Sequence, residues 1–500
     1  MRSPFGSEPI AAVIAESTPQ AFRRALVRAE RRARVVELRL DALGSVAAIV
    51  RLLGSLPRRS SRVTRIATCR TRRAGGGFTP GAAAQLALLR LAARVGCEWV
   101  DVEAESLTPF RASLRRELLR GVRRIVSFHD FRRTPANLPR LYTRLAGLGG
   151  DLVKIAVTPR RQRDNLAVLR LARRRRGKVI ALAMGTCGIP SRVLGLRAGS
   201  ALTYAALDAG PTTAPGQLRL SQLRDLYRPH CLNTRTRLYG VIGNPIVHSL
   251  SPAMQNAALQ AARLNAVYLP FEVRDLSDFL ACCPQLGVAG FSVTLPHKQA
   301  ILRYLDDCDP VAENIGAVNT VVVRGGKRLY GYNTDYVGVL RTLAHYVPLE
   351  GAQVLILGAG GAARAVAFAL ATAGAFVSIS ARRRGRARAL ARALGGEALS
   401  RSAGRRFDAI VNCTPVGMSP EEEASPLAAS ELNARVVFDL VYNPLETKLL
   451  RLARQRGAVA VPGWQMLVEQ GAAQFEIWTG LRAPLAVMRR AVLRVLRRTQ

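Results

Sequence analysis

The sequence predicts an α/β protein: an N-terminal (β/α)8 barrel of the TIM type, then an α/β unit carrying a Rossmann-type dinucleotide-binding fold. Three observations predict it. Eight short apolar runs in the first half each precede a segment with helical apolar spacing. Residues 229–237 lack periodicity and read as a linker. Farther on, a strand runs into the glycine-rich turn Gly358-Ala359-Gly360-Gly361 and then an alanine-rich helix, as a nucleotide-binding βαβ unit requires.

The strand candidates of the first half are 10–15, 35–40, 63–68, 99–104, 124–128, 152–157, 179–183 and 201–206, with helical stretches such as 80–94 and 161–175 between them. Eight β/α units argue for a closed barrel, with a doubly wound open sheet as the alternative. Barrel chemistry sits at the C-terminal strand ends, and those ends carry Glu37, Arg39, Arg70, His129, Arg192 and the stretch Thr213–Gln217. Lys154 is the informative residue. It stands in Leu-Val-Lys-Ile-Ala-Val, an apolar strand that places it desolvated inside the barrel. Burial lowers an amine's pKa and makes it a nucleophile toward carbonyls, giving a Schiff base. His129 on the neighbouring strand is the candidate base for a proton next to the iminium carbon. A lone strand lysine commonly snorkels at an edge, and a lone histidine commonly bonds within a core. The two on adjacent strands, with Glu37, Arg39, Arg70 and Arg192 at the same rim, point to a site.

In the second half, strand 238–242 leads to Ser249 and Ser251, just before a helix headed by Pro252. Their hydroxyls suit an anion at a helix N-terminus or simple N-capping. Thr294 and Lys298 end the next strand signal, followed by Gly-Ala-Val-Asn319-Thr and Asn-Thr-Asp335. In the glycine-rich turn the third glycine of the usual fingerprint is shifted, and Ala363 takes the packing position. The following strand, 376–381, ends in Arg382-Arg383-Arg384 instead of an acid. An acid there would favour a free ribose 2′-hydroxyl, whereas arginine suits a 2′-phosphate, so the expected cofactor is NADP.

Composition bounds the rest. A chain of 500 residues holds two to four domains. Apolar and charged fractions of 49% and 22% exclude a disordered chain, a collagen-like fibre and a disulfide scaffold. The 74 basic residues against 34 acidic ones give +40, and five of the 74 are lysines. The arginine skew reads as coding bias, and it makes each lysine a marker for an amine that can lose its proton. A charge of +40 raises a nucleic-acid hypothesis. The arginine runs, such as Arg173 to Arg176, lack interleaved aromatics for base stacking and read as solvated helix faces. The eight cysteines show no CxxC pair and no metal-ligand spacing, so reduced thiols, a cytoplasmic setting and no metal are expected. No apolar stretch of about 18 residues suggests a membrane span, and residues 1–9 are too short and polar for a signal peptide.

Residues 8–228 resemble type I 3-dehydroquinate dehydratase. The resemblance rests on Glu37-x-Arg39-x-Asp41, Thr-x-Arg70, Ser-Phe-His129-Asp-Phe, Lys154-Ile-Ala, Met184-Gly…Ser-Arg192 and Ala-Pro-Gly-Gln217. It implies that Lys154 forms the imine with a ring ketone, that His129 is the general acid/base, and that Arg192 grips the ring carboxylate. Glu37, Arg39, Arg70, Thr213 and Gln217 would hold hydroxyls, water and the histidine environment. Ala74 stands where the family often has Glu, and Thr213 where Ser is common.

Residues 238–495 resemble shikimate dehydrogenase. The matches are Ser249-x-Ser251-Pro, Val-Thr294-x-Pro-x-Lys298, Gly-Ala-Val-Asn319-Thr, Asn-Thr-Asp335, Gly-Ala-Gly-Gly-Ala, Asn412-Cys-Thr-Pro-Val-Gly-Met418, Asp439-Leu-Val-Tyr442-Asn-Pro and Gly463…Met-Leu-Val-x-Gln470. They imply Lys298 and Asp335 as the catalytic pair, Ser249 and Ser251 on the carboxylate, and Thr294, Asn319, Tyr442 and Gln470 around the substrate. Gly358, Ala359, Gly360, Gly361, Ala362, Arg382, Arg383, Thr414 and Gly463 would hold NADP. The family's Asn-Arg-Thr after the second strand is Ala381-Arg382-Arg383 here. Retention of both serines favours shikimate over quinate.

The expected layout is a dehydratase barrel 1–228, a linker 229–237, a substrate domain 238–338 completed by helices at about 465–500, and an NADP domain 339–464. The expected partners are the small molecules 3-dehydroquinate and 3-dehydroshikimate, with no specific nucleic acid, no membrane and an oligomer possible. The competing expectations are one live site with the other half as scaffold, and a polyanion-binding protein without catalysis.

Overall fold

The structure, a computed structural model, describes residues 3–56, 62–110, 120–400 and 405–499. The chain divides into two compact units, residues 1–236 with 269–286, and residues 237–268 with 287–500.

The first unit is built on eight parallel strands: β1 Ile10–Ile14, β2 Val35–Arg39, β3 Thr64–Thr68, β4 Trp99–Glu103, β5 Arg123–Asp130, β6 Leu152–Val157, β7 Val179–Ala183 and β8 Thr203–Ala206. Their order is β7-β6-β5-β4-β3-β2-β1-β8. β1 pairs with both β2 and β8, so the sheet curls round instead of reversing order as a doubly wound sheet does. β7 and β8 form no ladder among the described residues; they meet where the Ala201 N–H donates to the Val179 carbonyl (2.8 Å). The barrel is therefore nearly closed.

Side-chain alternation along each strand sorts the interior. Val35, Ile66, Trp99, Ile125, Leu152 and Ile180 belong to an apolar floor, with Phe5 against Trp99 at 4.9 Å between ring centroids. Two residues farther along the same strand faces come Glu37, Thr68, Asp101, Ser127 and Lys154. Two farther again come Arg39, Arg70, Glu103, His129 and Ala156. Each large apolar side chain fully buried contributes about 1.5–3 kcal/mol, which offsets the cost of holding charges above it. Outside, the helix Pro19–Arg32 starts at Thr18, whose hydroxyl accepts from the Ala21 N–H (3.2 Å). It buries Phe22, Ala25, Leu26 and Ala29, the stripe expected of a helix on a barrel.

Two further sheets follow the barrel in sequence, most of their residues in the second unit. One has the order β10-β9-β11-β13-β14-β12, from β9 Arg237–Gly243, β10 Ala266–Glu272, β11 Val288–Val293, β12 Asp307–Cys308, β13 Thr320–Arg324 and β14 Arg328–Tyr332. The other is wholly parallel, with the order β17-β16-β15-β18-β19-β20, from β15 Gln353–Leu357, β16 Phe376–Ser380, β17 Glu397–Ala398, β18 Phe407–Asn412, β19 Ala434–Asp439 and β20 Val459–Pro462. The order reverses between β15 and β18, the crevice where Rossmann-type sheets take ligands. The helix Trp464–Thr479 packs Val468, Ala472, Phe475 and Trp478 into one core with Tyr239, Met254 and Tyr268.

Candidate active sites

One pocket of the barrel is lined by Glu37, Arg39, Arg70, His129, Lys154, Arg192, Thr213 and Gln217, every residue the sequence nominated there. Ala74 and Tyr204 share its wall. Lys154 is buried, with two carboxylates beside it: Nζ lies 2.9 Å from Asp101 Oδ2 and 3.6 Å from Glu37 Oε1. Asp101 Oδ2 also takes the Arg70 guanidinium at 2.9 Å. Burial alone would raise the Asp101 carboxyl, but the cations Arg70 and Lys154 outweigh it and hold the group well below the usual carboxylate range. Arg70 is fixed further by Glu103 (3.4 Å) and the Ser127 hydroxyl (2.7 Å). Arg39 forms a two-bond fork with Asp41 (2.9 and 2.8 Å), and Asp41 in turn accepts from the Arg70 and Gly77 N–H groups. Thr68 donates to Glu37 (2.8 Å).

His129 differs from these paired groups. Burial, then the cations Arg70 and Lys154, hold its imidazole well below its ordinary value of 6.5. It is neutral near pH 7, and its buried Nδ1 has no hydrogen-bond partner among the described residues. Arg192 is equally distinctive. The helix Ile189–Ala198 buries it, its Nη2 donates to the Pro215 carbonyl (3.2 Å), and its Nε has no partner among the described residues. Burial draws its pKa down to about 10. A buried cation with no acid beside it costs several kcal/mol, and an anionic ligand removes that cost. Thr213 donates to Gln217 Oε1 through its N–H (2.8 Å) and hydroxyl (3.2 Å), fixing the loop over the pocket. Gly75 has φ +81°, and a Cβ there would lie 2.4 Å from the Phe131 ring, so only glycine lets this segment of the rim close. A lysine, a neutral imidazole and an unpaired guanidinium in one pocket can bind a carboxylate, attack a ketone and move a proton.

In the second unit Lys298 Nζ lies 2.5 Å from Asp335 Oδ2. Asp335 heads the helix Asp335–Leu343, and its Oδ1 accepts from Asn319 Nδ2 (2.8 Å). Asn319 also donates toward Gln470 Oε1 (3.5 Å) and accepts from the Thr320 hydroxyl (2.7 Å). Gln474 Nε2 donates to Thr320 Oγ1 (3.1 Å), and its Oε1 accepts from the Ser292 hydroxyl (2.8 Å). Ser292 meets the Tyr268 hydroxyl at 2.7 Å. A buried chain of hydrogen bonds thus joins Tyr268 to the Lys298–Asp335 pair. Ser249 accepts from the Ser251 N–H (3.3 Å), and the Thr294 N–H donates to the Ile242 carbonyl (3.0 Å). Tyr442 packs beside the core of Tyr239 and Met254, and no hydrogen bond joins it to the pair among the described residues.

The glycine-rich turn meets the same pair. Gly358 has φ +115°, with Cys413 and Thr414 at 3.3 Å from where a Cβ would stand. At Gly361 a Cβ would lie 3.5 Å from Lys298 Cβ, while the space at Gly360 is open. Gly361 begins the helix Gly361–Thr372, whose first N–H groups and dipole suit a phosphate. Across the crevice Thr414 donates to Asn412 Oδ1 through its N–H (3.0 Å) and hydroxyl (2.7 Å), and Asn412 donates to Asp439 (2.8 Å). Ala359 lies within the turn and Ala362 follows it, and Gly463 precedes the helix Trp464–Thr479. Arg382 and Arg383 follow β16, exposed and without an ion-pair partner among the described residues. This open cradle and two free guanidinium groups fit a phosphorylated dinucleotide. Among the described residues no group of three or more His, Cys, Asp or Glu side chains suits a metal ion.

Sequence reasoning gave no role to Asp101, Glu103, Ser127 and Tyr204 in the barrel, or to Thr320, Ser292, Tyr268 and Gln474 in the second unit, although Ser127 and Thr320 stood in motifs it quoted. The first two carried a signal. Trp99-Val-Asp-Val-Glu alternates, so both acids share a face with Trp99.

Fold and site define a class, a (β/α)8-type barrel with a buried lysine in its pocket, fused to a Rossmann-type unit. Comparison with known proteins narrows it. Residues 10–231 match the family model of type I 3-dehydroquinase. Residues 241–321 match the shikimate dehydrogenase substrate binding domain, and 463–493 the shikimate 5′-dehydrogenase C-terminal domain. A chloroplastic bifunctional 3-dehydroquinate dehydratase/shikimate dehydrogenase of Arabidopsis thaliana is 35% identical over 473 residues, 90% of this chain and 78% of that protein. A shikimate dehydrogenase (NADP(+)) of Symbiobacterium thermophilum is 46% identical over 279 residues, 52% of this chain and 95% of that protein. The crystal structure of shikimate 5-dehydrogenase from Thermus thermophilus in complex with NADP(H) and shikimate aligns with a TM-score of 0.50 at 41% identity, over 52% of this chain and all of that one. The chain belongs to the family of bifunctional 3-dehydroquinate dehydratase/shikimate dehydrogenases, NADP-dependent enzymes of the shikimate pathway.

Proposed function

We propose that the barrel dehydrates 3-dehydroquinate through an imine on Lys154 and that the second unit reduces the resulting 3-dehydroshikimate to shikimate. The observation that carries the dehydratase half is the meeting of Lys154, neutral His129 and unpaired Arg192 in one pocket. Arg192 pairs with the substrate carboxylate and so orients the ring. Lys154 Nζ attacks the ketone carbon, and loss of water gives the iminium. His129 removes the proton from the adjacent carbon, and the C–H electron pair moves toward the iminium nitrogen. Its return expels the hydroxyl one carbon farther on, which leaves as water with the proton from His129. Hydrolysis of the iminium frees the enone and the lysine. Glu37, Arg39, Arg70, Thr213 and Gln217 hold the hydroxyls and water around the ring.

In the dehydrogenase half Ser249 and Ser251 hold the carboxylate, and Thr294, Asn319, Tyr442 and Gln470 line the ring. Bound at Gly358–Ala362, Thr414 and Gly463, NADPH supplies a hydride. Lys298, fixed by Asp335, hydrogen-bonds the C4 hydroxyl and assists the proton to the carbonyl oxygen. The domain limits that accompany this reading are 1–228, a linker 229–237, 238–338 with helices at about 465–500, and 339–464. Eight free thiols support a reducing, cytoplasmic setting. No helix among the described residues is long and apolar enough to cross a membrane.

Two measurements test the details. Because His129 works as the neutral base and is held below 6.5, the acid limb of dehydratase kcat/KM lies below pH 6.5. Protonation on descending through that lowered value removes the base, and between pH 6.5 and 7.5 the rate is flat. A profile already falling by half at pH 7 would assign the base elsewhere. For the cofactor, Arg382 and Arg383 meet a 2′-phosphate with charge-assisted hydrogen bonds, discounted for exposure, so NADPH is preferred over NADH by on the order of 10-fold or more. Either Arg382→Ala or Arg383→Ala loses NADPH efficiency while NADH is barely affected. Equal losses for both cofactors would make the arginines coding-bias background.

A further inference from the structure

The pocket holds one polar group that the reaction above does not use. Tyr204 on β8 is 4% exposed and lines the pocket, and its hydroxyl is buried without a hydrogen-bond partner among the described residues. The face of its ring lies against the nucleophile, with Lys154 Nζ 4.0 Å from the ring centroid. An unpaired buried hydroxyl destabilises the free protein, since it has given up water for nothing. The Phe side chain would fill the same space at no such cost. Of the neighbouring polar atoms, Glu37 Oε1 accepts from Thr68, Asp101 Oδ2 takes Lys154 and Arg70, and Arg70 donates to Ser127, while Asp101 Oδ1 and His129 Nδ1, like the phenol, have no hydrogen-bond partner among the described residues.

Resting on the dehydratase reading, we infer that Tyr204 is a further substrate-binding group of the barrel, its phenol donating a hydrogen bond to an oxygen of the substrate held on Lys154. Burial, with the charges of Glu37 and Asp101, keeps the phenol protonated and therefore a donor. The ring face at the same time attracts the cationic nitrogen of the free ammonium and of the iminium. One side chain then reads both the nitrogen and a substrate oxygen, and a polyhydroxylated ring keto acid satisfies what the free protein leaves open. A site built to bond a substrate hydroxyl discriminates against analogues that lack it.

The test is Tyr204→Phe, which removes the hydroxyl and keeps the ring. The expected result has opposite signs in two measurements. Dehydratase kcat/KM falls about tenfold, while the thermal midpoint of the full chain stays level or rises. Shikimate oxidation by the second unit, assayed in the same preparation, is unchanged. A kcat/KM within twofold of the parent would overturn the inference. A fall in the thermal midpoint would overturn it too, because the hydroxyl would then have a structural partner. Borohydride trapping with 3-dehydroshikimate separates this inference from the reading beneath it. A parent that is not trapped at Lys154 refutes the imine itself, whereas a trapped parent and an unaffected Tyr204→Phe refute only the role of the phenol.

Discussion

Lys154→Ala abolishes dehydratase turnover and leaves reduction of 3-dehydroshikimate intact. Among the described residues of the pocket, the amine is the only group placed to form an imine, and its neighbours Glu37 and Asp101 carry no nucleophilic nitrogen. Borohydride added with substrate traps one ligand on the parent chain, at the peptide containing Lys154, and none on the variant. Lys154→Arg is as damaging, because guanidinium keeps its proton and cannot form the imine. Trapping that survives either substitution would remove Lys154 from the mechanism. Loss of Lys154 also leaves Asp101 with Arg70 alone among its two close cations, so Lys154→Met is measured for thermal stability alongside, to separate loss of chemistry from loss of fold.

Lys298→Ala has the mirror effect. It lowers kcat of the dehydrogenase by roughly 10²–10⁴-fold, the range for a lost general acid/base, and leaves the dehydratase unchanged. Asp335→Asn shows a smaller loss in the same direction, since the amide keeps the contact to Asn319 but cannot pair with the ammonium. A kcat within tenfold of the parent for Lys298→Ala would place proton transfer on another group. Because the two substitutions act on different halves, they also decide whether one domain serves only as scaffold.

Much of the barrel site was legible because residue type and strand parity coincide. Lys154 and His129 interrupt apolar strands at positions that the two-residue alternation points inward, and Glu37 and Arg39 do so two residues apart. Asp101 and Glu103 followed the same rule but stood in a strand read only for its apolar content. Tyr204 was hidden differently. It sits in Ala-Leu-Thr-Tyr-Ala-Ala, where an aromatic reads as core, and only the unpaired hydroxyl distinguishes it. The chain from Tyr268 through Ser292, Gln474 and Thr320 to Asn319 could not be read at all. Its members lie up to 182 residues apart for a single bond, and they meet only because the helix Trp464–Thr479 packs back onto the sheet containing β9 and β11. The arginines after β16 were legible as charge, while their exposure, which limits what each contributes, required the structure.

The central claim is that one chain performs both steps in order. The direct measurement supplies 3-dehydroquinate and NADPH to the full chain and follows the nicotinamide absorbance. The account predicts NADPH oxidation that depends on 3-dehydroquinate, that disappears in Lys154→Ala and returns when 3-dehydroshikimate is added, and that disappears in Lys298→Ala whichever substrate is given. No NADPH oxidation by the parent with 3-dehydroshikimate, or oxidation with 3-dehydroquinate that persists in Lys154→Ala, would contradict it.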